Sequence, residues 1–285
     1  MLQKTGVRSA SGILVFTDLD GTLLDHDTYR FDEALPAIRL LQSYEVPIIS
    51  ATSKTVEEIV PISQLLDIQH PFIAENGCVI GVPEGYFKNI PSARLCGEFH
   101  LLKLAPDYSQ VVTRLASLRE MHGYKFTGFS DMALEVLVTE TGLTPEQAGN
   151  AKKRLCSEAI RWDDSVDRLQ SFKNHLANRE LQLVKGGRFW HVSGLGSKAT
   201  AMRQLVELFR LNGLTNVATI GLGDSQNDVD MLQASDTAIV IRRKNGTCLQ
   251  LPSNKKVYHS SKSGPAGWNE TIQAVFLASI AEASH

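Results

Sequence analysis

Residues 13–77 repeat one pattern: a short apolar run, a stretch of helical spacing, then another apolar run. "ILVFTDL" (13–19), "VPIISAT" (46–52) and "PFIAENG" (71–77) read as buried strands. Between them lies "DEALPAIRLLQSY" (32–44), in which Pro36 fits only the first helical turn. The second helical stretch, "TVEEIVPISQLL" (55–66), opens on the capping box Thr55-x-x-Glu58 and meets Pro61, which is expected to kink or divide it. Strands joined through helices run parallel, and the helices cover the sheet faces. The pattern predicts a Rossmann-like α/β core, a parallel sheet with helices on both faces.

The same texture returns near the C-terminus. "SKATAMRQLVELFRLNG" (197–213) is an amphipathic helix stopped at Gly213. "VATIGLGD" (217–224) is a strand, "SQNDVDMLQAS" (225–235) a helix, "TAIVI" (237–241) a strand and "GWNETIQAVFLASIAEA" (267–283) a last helix. Between the two halves the texture changes. Residues 109–123, 144–159 and 165–179 have helical spacing, and 144–159 begins with the box Thr144-x-x-Gln147. Residues 124–130 read as a strand, and "LQLVKGGRFWHVS" (181–193) as a hairpin across Gly186-Gly187. The expected organisation is therefore a core of residues 1–85 and 194–285, with a smaller α+β domain, 86–193, inserted in it.

Composition narrows the partners. Of 285 residues, 29 are Lys or Arg and 31 Asp or Glu, so no basic surplus points to nucleic acid. No apolar run reaches the ~18 residues of a membrane span, and "MLQKTGVRSASG" lacks a secretion signal's apolar stretch. A cytoplasmic protein is expected. Cys78, Cys96, Cys156 and Cys248 form no CxxC pair and read as free, mostly buried thiols.

Four features carry chemistry. Asp18 and Asp20, in "DLDGT", stand where the first strand ends. Residues two apart on a strand share a face, and ligands of open parallel sheets bind beyond the strands' carboxyl ends. Two close carboxylates repel unless a cation or proton lies between them; the alternative role is capping of a turn or helix. "GLGDSQND" (221–228) is not a dinucleotide loop, because Gln226 stands where that fingerprint needs glycine. It supplies Asp224, Asn227 and Asp228 instead, more than capping alone requires, and hard oxygens of this kind suit Mg²⁺. Thr52, after the second strand, either caps a turn or donates to a phosphoryl oxygen. Lys198, in "GLGSKAT", belongs to no P-loop, since Leu195 and Ser197 break that pattern. A lysine at a helix start opposes the helix dipole, and a bound anion would account for it.

The ordered set, DxDGT, then Thr52, then Lys198 after an insert, then GDxxND, resembles the haloacid dehalogenase-like phosphatase superfamily, across most of the chain. The insert resembles that superfamily's α/β cap of the second type. "TSKT" at 52–55, "ENG" at 75–77, "GGRFWHV" at 186–192 and "GPAGW" at 264–268 look like the mannosyl-3-phosphoglycerate phosphatase family. The resemblance implies Mg²⁺-dependent hydrolysis of mannosyl-3-phosphoglycerate through an aspartyl-phosphate. Asp18 would be the nucleophile, Asp20 the general acid and base, and Thr52 and Lys198 the groups that orient phosphate. Asp18, Asp20 (through its carbonyl), Asp224 and Asp228 would surround the metal, Asp228 through water or by orienting Lys198. Arg188 and His191 are candidates for sugar or glycerate contacts, with Phe189 and Trp190 turned to the cap's core. Lys54, Glu75 and Asn76 are candidates for lining the entrance, and Asn227 for holding the loop or phosphate. The alternatives are a broader phosphatase (hexose phosphate, sucrose 6-phosphate or glucosyl-3-phosphoglycerate) and a phosphomutase. The expected partner is a small phosphorylated sugar-glycerate, with neither nucleic acid nor membrane, and the expected state a monomer or weak homodimer.

Overall fold

Strand β1 (Ile13–Thr17) has no exposed face, because it lies inside a parallel sheet with helices on both sides. The computed structural model describes residues 12–252 and 256–283. After β1 come α1 (Leu35–Ser43), β2 (Ile48–Ser50), α2 (Val56–Leu65) and β3 (Phe72–Ala74). Next are β4 (Val79–Pro83), β5 (Arg94–Cys96) and β6 (Phe99–Lys103). The middle of the chain holds α3 (Tyr108–His122), β7 (Phe126–Gly128), α4 (Leu134–Thr141), α5 (Pro145–Lys152), β8 (Ser157–Trp162), α6 (Val166–Ala177), β9 (Leu181–Lys185) and β10 (Trp190–Gly194). The last part holds α7 (Lys198–Leu211), β11 (Ala218–Gly223), α8 (Val229–Ala234), β12 (Thr237–Arg242), β13 (Lys256–Ser263) and α9 (Gly264–Ala283).

The central sheet has the order β13-β12-β11-β1-β2, all parallel. Alternation along β1 sends Ile13 and Val15 to one face and Leu14 and Phe16 to the other. The first pair packs with Ile38 and Leu41 of α1 and Trp268, Ile272 and Phe276 of α9. The second pair packs with Met202, Leu205 and Phe209 of α7. Each fully buried side chain of this size contributes roughly 1.5–3 kcal/mol, so the two layers fix the sheet edge from which the site projects.

The third apolar run does not extend this sheet as expected. β3 meets the end of β2 through one parallel bridge, Ala51 with Ile73, and otherwise belongs to an antiparallel sheet, β3-β4-β6-β5. The cause is the "ENG" turn. Glu75, Asn76 and Gly77 all take positive φ, at 51°, 57° and 97°, and fold the chain straight back into β4. β6 thus pairs with β4 and β5 with β6, and Phe87 and Leu102 pack into the α7 layer.

A third sheet, β7-β8-β10-β9, is antiparallel throughout. One face packs on α3 and α6 through Leu115, Leu118, Phe172 and Leu176; the other meets Leu137 of α4 and Ala148 and Ala151 of α5. The hairpin expected across Gly186-Gly187 forms as β9 and β10. The single helix expected over 144–159 does not: α5 stops at Lys152 and β8 begins at Ser157. The carboxylate of Glu75 takes the amides of Leu155 and Cys156, which a continuing helix would have used. Pro61 does not divide α2, which runs unbroken from Val56 to Leu65; it is exposed, so water can satisfy the carbonyl it leaves free.

Among the described residues no helix is long and apolar enough to cross a membrane; the reading of the extreme N-terminus falls on residues 1–11, outside them. The four cysteines are free, with Cys78 and Cys156 buried and Cys96 exposed.

Candidate active site

Asp18 follows β1 directly, and its amide continues the ladder by donating to the Leu222 carbonyl of β11. The strand end is fixed from behind. Trp268 of α9 donates through Nε1 to the Thr17 hydroxyl (3.0 Å), which donates to the Asp18 carbonyl (2.8 Å). Asp18 is buried, with its side chain 7% exposed. Gly21 turns the chain at φ 82°, and a Cβ there would lie 3.2 Å from the Asp224 carboxylate, so the turn must be glycine.

β11 delivers Asp224 to the same place, with Asp228 one helical turn later. One oxygen of Asp228 accepts from the amides of Asp224 (3.1 Å) and Ser225 (3.0 Å) and so holds the loop. Its other oxygen accepts from Lys198 Nζ at 2.6 Å, and that ammonium also donates to Asp18 at 2.7 Å. Lys198 heads α7, whose N-cap is Ser197, and is fully buried. Its start is set by Gly77: a Cβ there would fall 2.1 Å from the Ser197 carbonyl.

Ligand oxygens of Asp18, Asp224 and Asp228 lie within 4.8 Å of one another, close enough to hold one metal ion. Burial pushes the Asp18 carboxyl well above its usual range; Lys198 opposes this, and Asp228 and Asp224 add to it. Burial and then Asp228 push Asp224 up to about 6, against the pull of Arg243. Lys198 stays charged, since Asp18 and Asp228 overcome its desolvation. One ammonium faces three carboxylates, and an all-oxygen donor set with this surplus charge suits a hard divalent cation.

Asp20 stands apart from the trio. Its carboxylate pairs with Lys54 Nζ at 2.9 Å, and Lys54 lies 4.9 Å above the Tyr29 ring. Thr52 is buried, and its hydroxyl accepts from the Lys54 amide at 3.3 Å. Asn227 donates to Asn76 Oδ1 at 3.0 Å and lines the cavity, while Asn76 lies behind it.

A cavity opens between this cluster and the third sheet. Asp18, Asp20, Lys54 and Asp224 line the core side; Arg188, Phe189 and His191 line the other. Arg188 donates to the Thr141 carbonyl, and Trp190 turns away to pack on the α3–α6 layer. Phe189 does not join it: it packs against Phe129 and faces the cavity. Burial, then Arg154 and Lys198, hold the His191 imidazole neutral, well below its usual pKa. Glu75 does not line the entrance. It is fully buried, with its carboxylate taken up by Leu155, Cys156 and Ser157. Sequence reading missed Arg154, His26, Tyr29 and Glu58, all of which line the cavity. Glu58 reads only as the capping-box partner of Thr55, and the other three sit in no motif; the only local sign is the clustering of His26 and Tyr29 just after DxDGT.

A family model described as haloacid dehalogenase-like hydrolase matches residues 15–98, from Asp18 through Thr52 and the ENG turn. The fold agrees with solved structures at low identity. A Thermoplasma acidophilum protein gives a TM-score of 0.64 at 17% identity, covering 93% of this chain and 98% of that one. A haloacid dehalogenase-like hydrolase from B. subtilis gives 0.62 at 19%, covering 91% and 98%. The chain belongs to the haloacid dehalogenase-like hydrolase family. It is 36% identical over 260 residues to a glucosyl-3-phosphoglycerate/mannosyl-3-phosphoglycerate phosphatase of Methanococcoides burtonii, covering 91% of this chain and 95% of that one. It is 33% identical over 263 residues to a protein of the same name from Persephonella marina, covering 91% and 96%. Within the family, then, the chain is a phosphoric monoester hydrolase.

Proposed function

We propose that the chain hydrolyses the phosphate ester of mannosyl-3-phosphoglycerate, giving mannosylglycerate and phosphate, with Mg²⁺ as cofactor. The observation that carries the chemistry is Lys198 Nζ, 2.7 Å from Asp18 and 2.6 Å from Asp228 beside a third buried carboxylate. The substrate rests on the two curated relatives, whose names include both glucosyl and mannosyl esters.

In this mechanism an oxygen of Asp18 attacks phosphorus, and the ester P–O bond breaks. Asp20 gives its proton to the departing glycerate oxygen, which leaves as an alcohol. Water then attacks the aspartyl-phosphate, Asp20 takes its proton, and the bond from Asp18 to phosphorus breaks. Lys54, bonded to Asp20, holds that carboxylate in place. Lys198 and Thr52 offset and orient the phosphoryl charge. Asp18, Asp224 and Asp228 would hold Mg²⁺, which supplies positive charge against the repulsion between an anionic nucleophile and an anionic ester.

Of the expected insert, residues 86–193, the strands β5 and β6 belong to the β4 sheet, so we take residues 105–193 as the part that covers the substrate and reads it beyond the phosphate. One chain supplies all the residues named here, which supports a monomer or weak homodimer as the working unit, placed in the cytoplasm. The test is phosphate release from mannosyl-3-phosphoglycerate, glucosyl-3-phosphoglycerate, sucrose 6-phosphate and hexose phosphates, with MgCl₂ and with EDTA. The expected result is metal-dependent preference for the glycosyl-phosphoglycerates. A preference for the plain sugar phosphates, or phosphoryl transfer to a sugar in place of release, would overturn the reading.

A further inference from the structure

Arg154 sits on the link between α5 and β8, 6% exposed, and lines the cavity. Its Nε donates to the carbonyl (3.1 Å) and hydroxyl (3.0 Å) of Ser157. One Nη donates to the Ser53 carbonyl and the Ser157 hydroxyl, both at 2.9 Å. Every one of these acceptors is neutral. Among the described residues Arg154 forms no ion pair, and its other Nη has no protein partner. Burying a cation costs several kcal/mol, and here no carboxylate touches it to offset that cost.

The guanidinium is held rigidly. The Ser157 hydroxyl that accepts from Arg154 donates to Glu75 at 2.6 Å. Glu75 also accepts from the amides of Leu155 and Cys156 at 2.6 and 3.0 Å. A carboxylate in the ENG turn of the core therefore grips the link that carries Arg154, 79 residues later in the chain. The Ser53 carbonyl joins the same link to the loop between Thr52 and Lys54. Beside it, Nδ1 of His191 is buried with no partner among the described residues, and His191 lines the same cavity. None of these groups is used by the phosphoryl chemistry.

A rigid guanidinium with an unused N–H edge facing a cavity is a receptor for a planar anion. The phosphoryl group is claimed by Lys198 and the carboxylate cluster, so the anion for Arg154 lies elsewhere on the substrate. We propose that Arg154 binds a carboxylate on the leaving group and so separates phosphorylated hydroxy acids from plain sugar phosphates, with Glu75 and Ser157 as its positioning residues. This rests on the phosphatase reading above and deepens it.

The test compares wild type with Arg154→Lys, which keeps the charge and loses the fork. Two readouts are taken: turnover of mannosyl-3-phosphoglycerate against glycerol 3-phosphate, and calorimetric binding of mannosylglycerate against its methyl ester. Wild type is expected to bind the acid at least about tenfold more tightly than the ester. Arg154→Lys should lose that preference and raise KM for the carboxylated substrate by about 10- to 100-fold, with kcat and the glycerol 3-phosphate rate within about threefold. Ser157→Ala, which keeps the arginine but loosens it, should lower the acid-to-ester ratio by a smaller factor. An unchanged ratio in Arg154→Lys, a parallel loss on both phosphates, or equal binding of acid and ester by wild type overturns the assignment. If wild type binds the acid preferentially but turns over plain sugar phosphates best, the substrate reading and the discrimination fail, and only the carboxylate contact of Arg154 survives.

Discussion

Lys198 Nζ lies 2.6 Å from Asp228 Oδ1, and neither side chain has any solvent exposure. Two charges removed from water hold only while both are present and hydrogen-bonded. Asp228→Asn should therefore lower stability by about 3 kcal/mol and phosphate release by about 100-fold. Thermal denaturation and a phosphate assay on the same preparation check both numbers. Wild-type values in either would show that the pair is incidental.

The pH dependence of metal binding follows from Asp224. Its carboxyl is pushed up to about 6 by burial and then by Asp228, so protons compete with a cation there. Mg²⁺ affinity, measured by calorimetry between pH 5 and 8, should fall as pH drops below 6 and level off above it. The folded value lies above the ordinary 3.8. In ion-free protein the stabilisation from this group is thus complete below about pH 4 and lost as pH rises through 6. Saturating Mg²⁺ should remove that loss, and an affinity that ignores pH would count against Asp224 as a ligand.

Gly77 can be tested as the spacer that seats Lys198. It has φ 97°, and a Cβ would fall 2.1 Å from the Ser197 carbonyl at the start of α7. Gly77→Ala should cost about 2 kcal/mol or more and reduce turnover through displacement of Lys198. A variant with normal melting temperature and rate would mean that α7 shifts without consequence.

Thiol reactivity separates the cysteines. Burial pushes Cys78 and Cys156 each up to about 12, so roughly one thiol in ten thousand is ionised at pH 8. Cys96 is exposed. An aromatic disulfide reagent should modify Cys96 at once, and Cys78 and Cys156 only after denaturant is added. Rapid reaction of the buried pair in native protein would contradict the packing between the ENG turn and β8.

The core and the residues that gather at its sheet edge are legible because their signals are local. Asp18, Thr52, Lys198 and Asp224 each follow a strand or head a helix that its own periodicity reveals, and their order along the chain is itself the signal. What could not be read depends on contacts between distant residues. The helix expected over 144–159 ends early because Glu75, some 80 residues away, takes the amides of Leu155 and Cys156. For the same reason Glu75, expected at the entrance on sequence grounds, is buried, and nothing local in the sequence sets Arg154 apart from ordinary helix-surface lysines and arginines. β3 left the parallel sheet through three positive-φ residues, of which only Gly77 advertises such a conformation.

The central claim is that Asp18 becomes phosphorylated during turnover. Rapid quench in acid of the Mg²⁺-loaded enzyme with ³²P-labelled mannosyl-3-phosphoglycerate, followed by peptide mapping, tests it directly. The expected result is a burst of protein-bound label that maps to Asp18, rises faster than free phosphate appears and is absent from Asp18→Asn. Free phosphate released at full rate with no label on the chain, or with label on another residue, would contradict it.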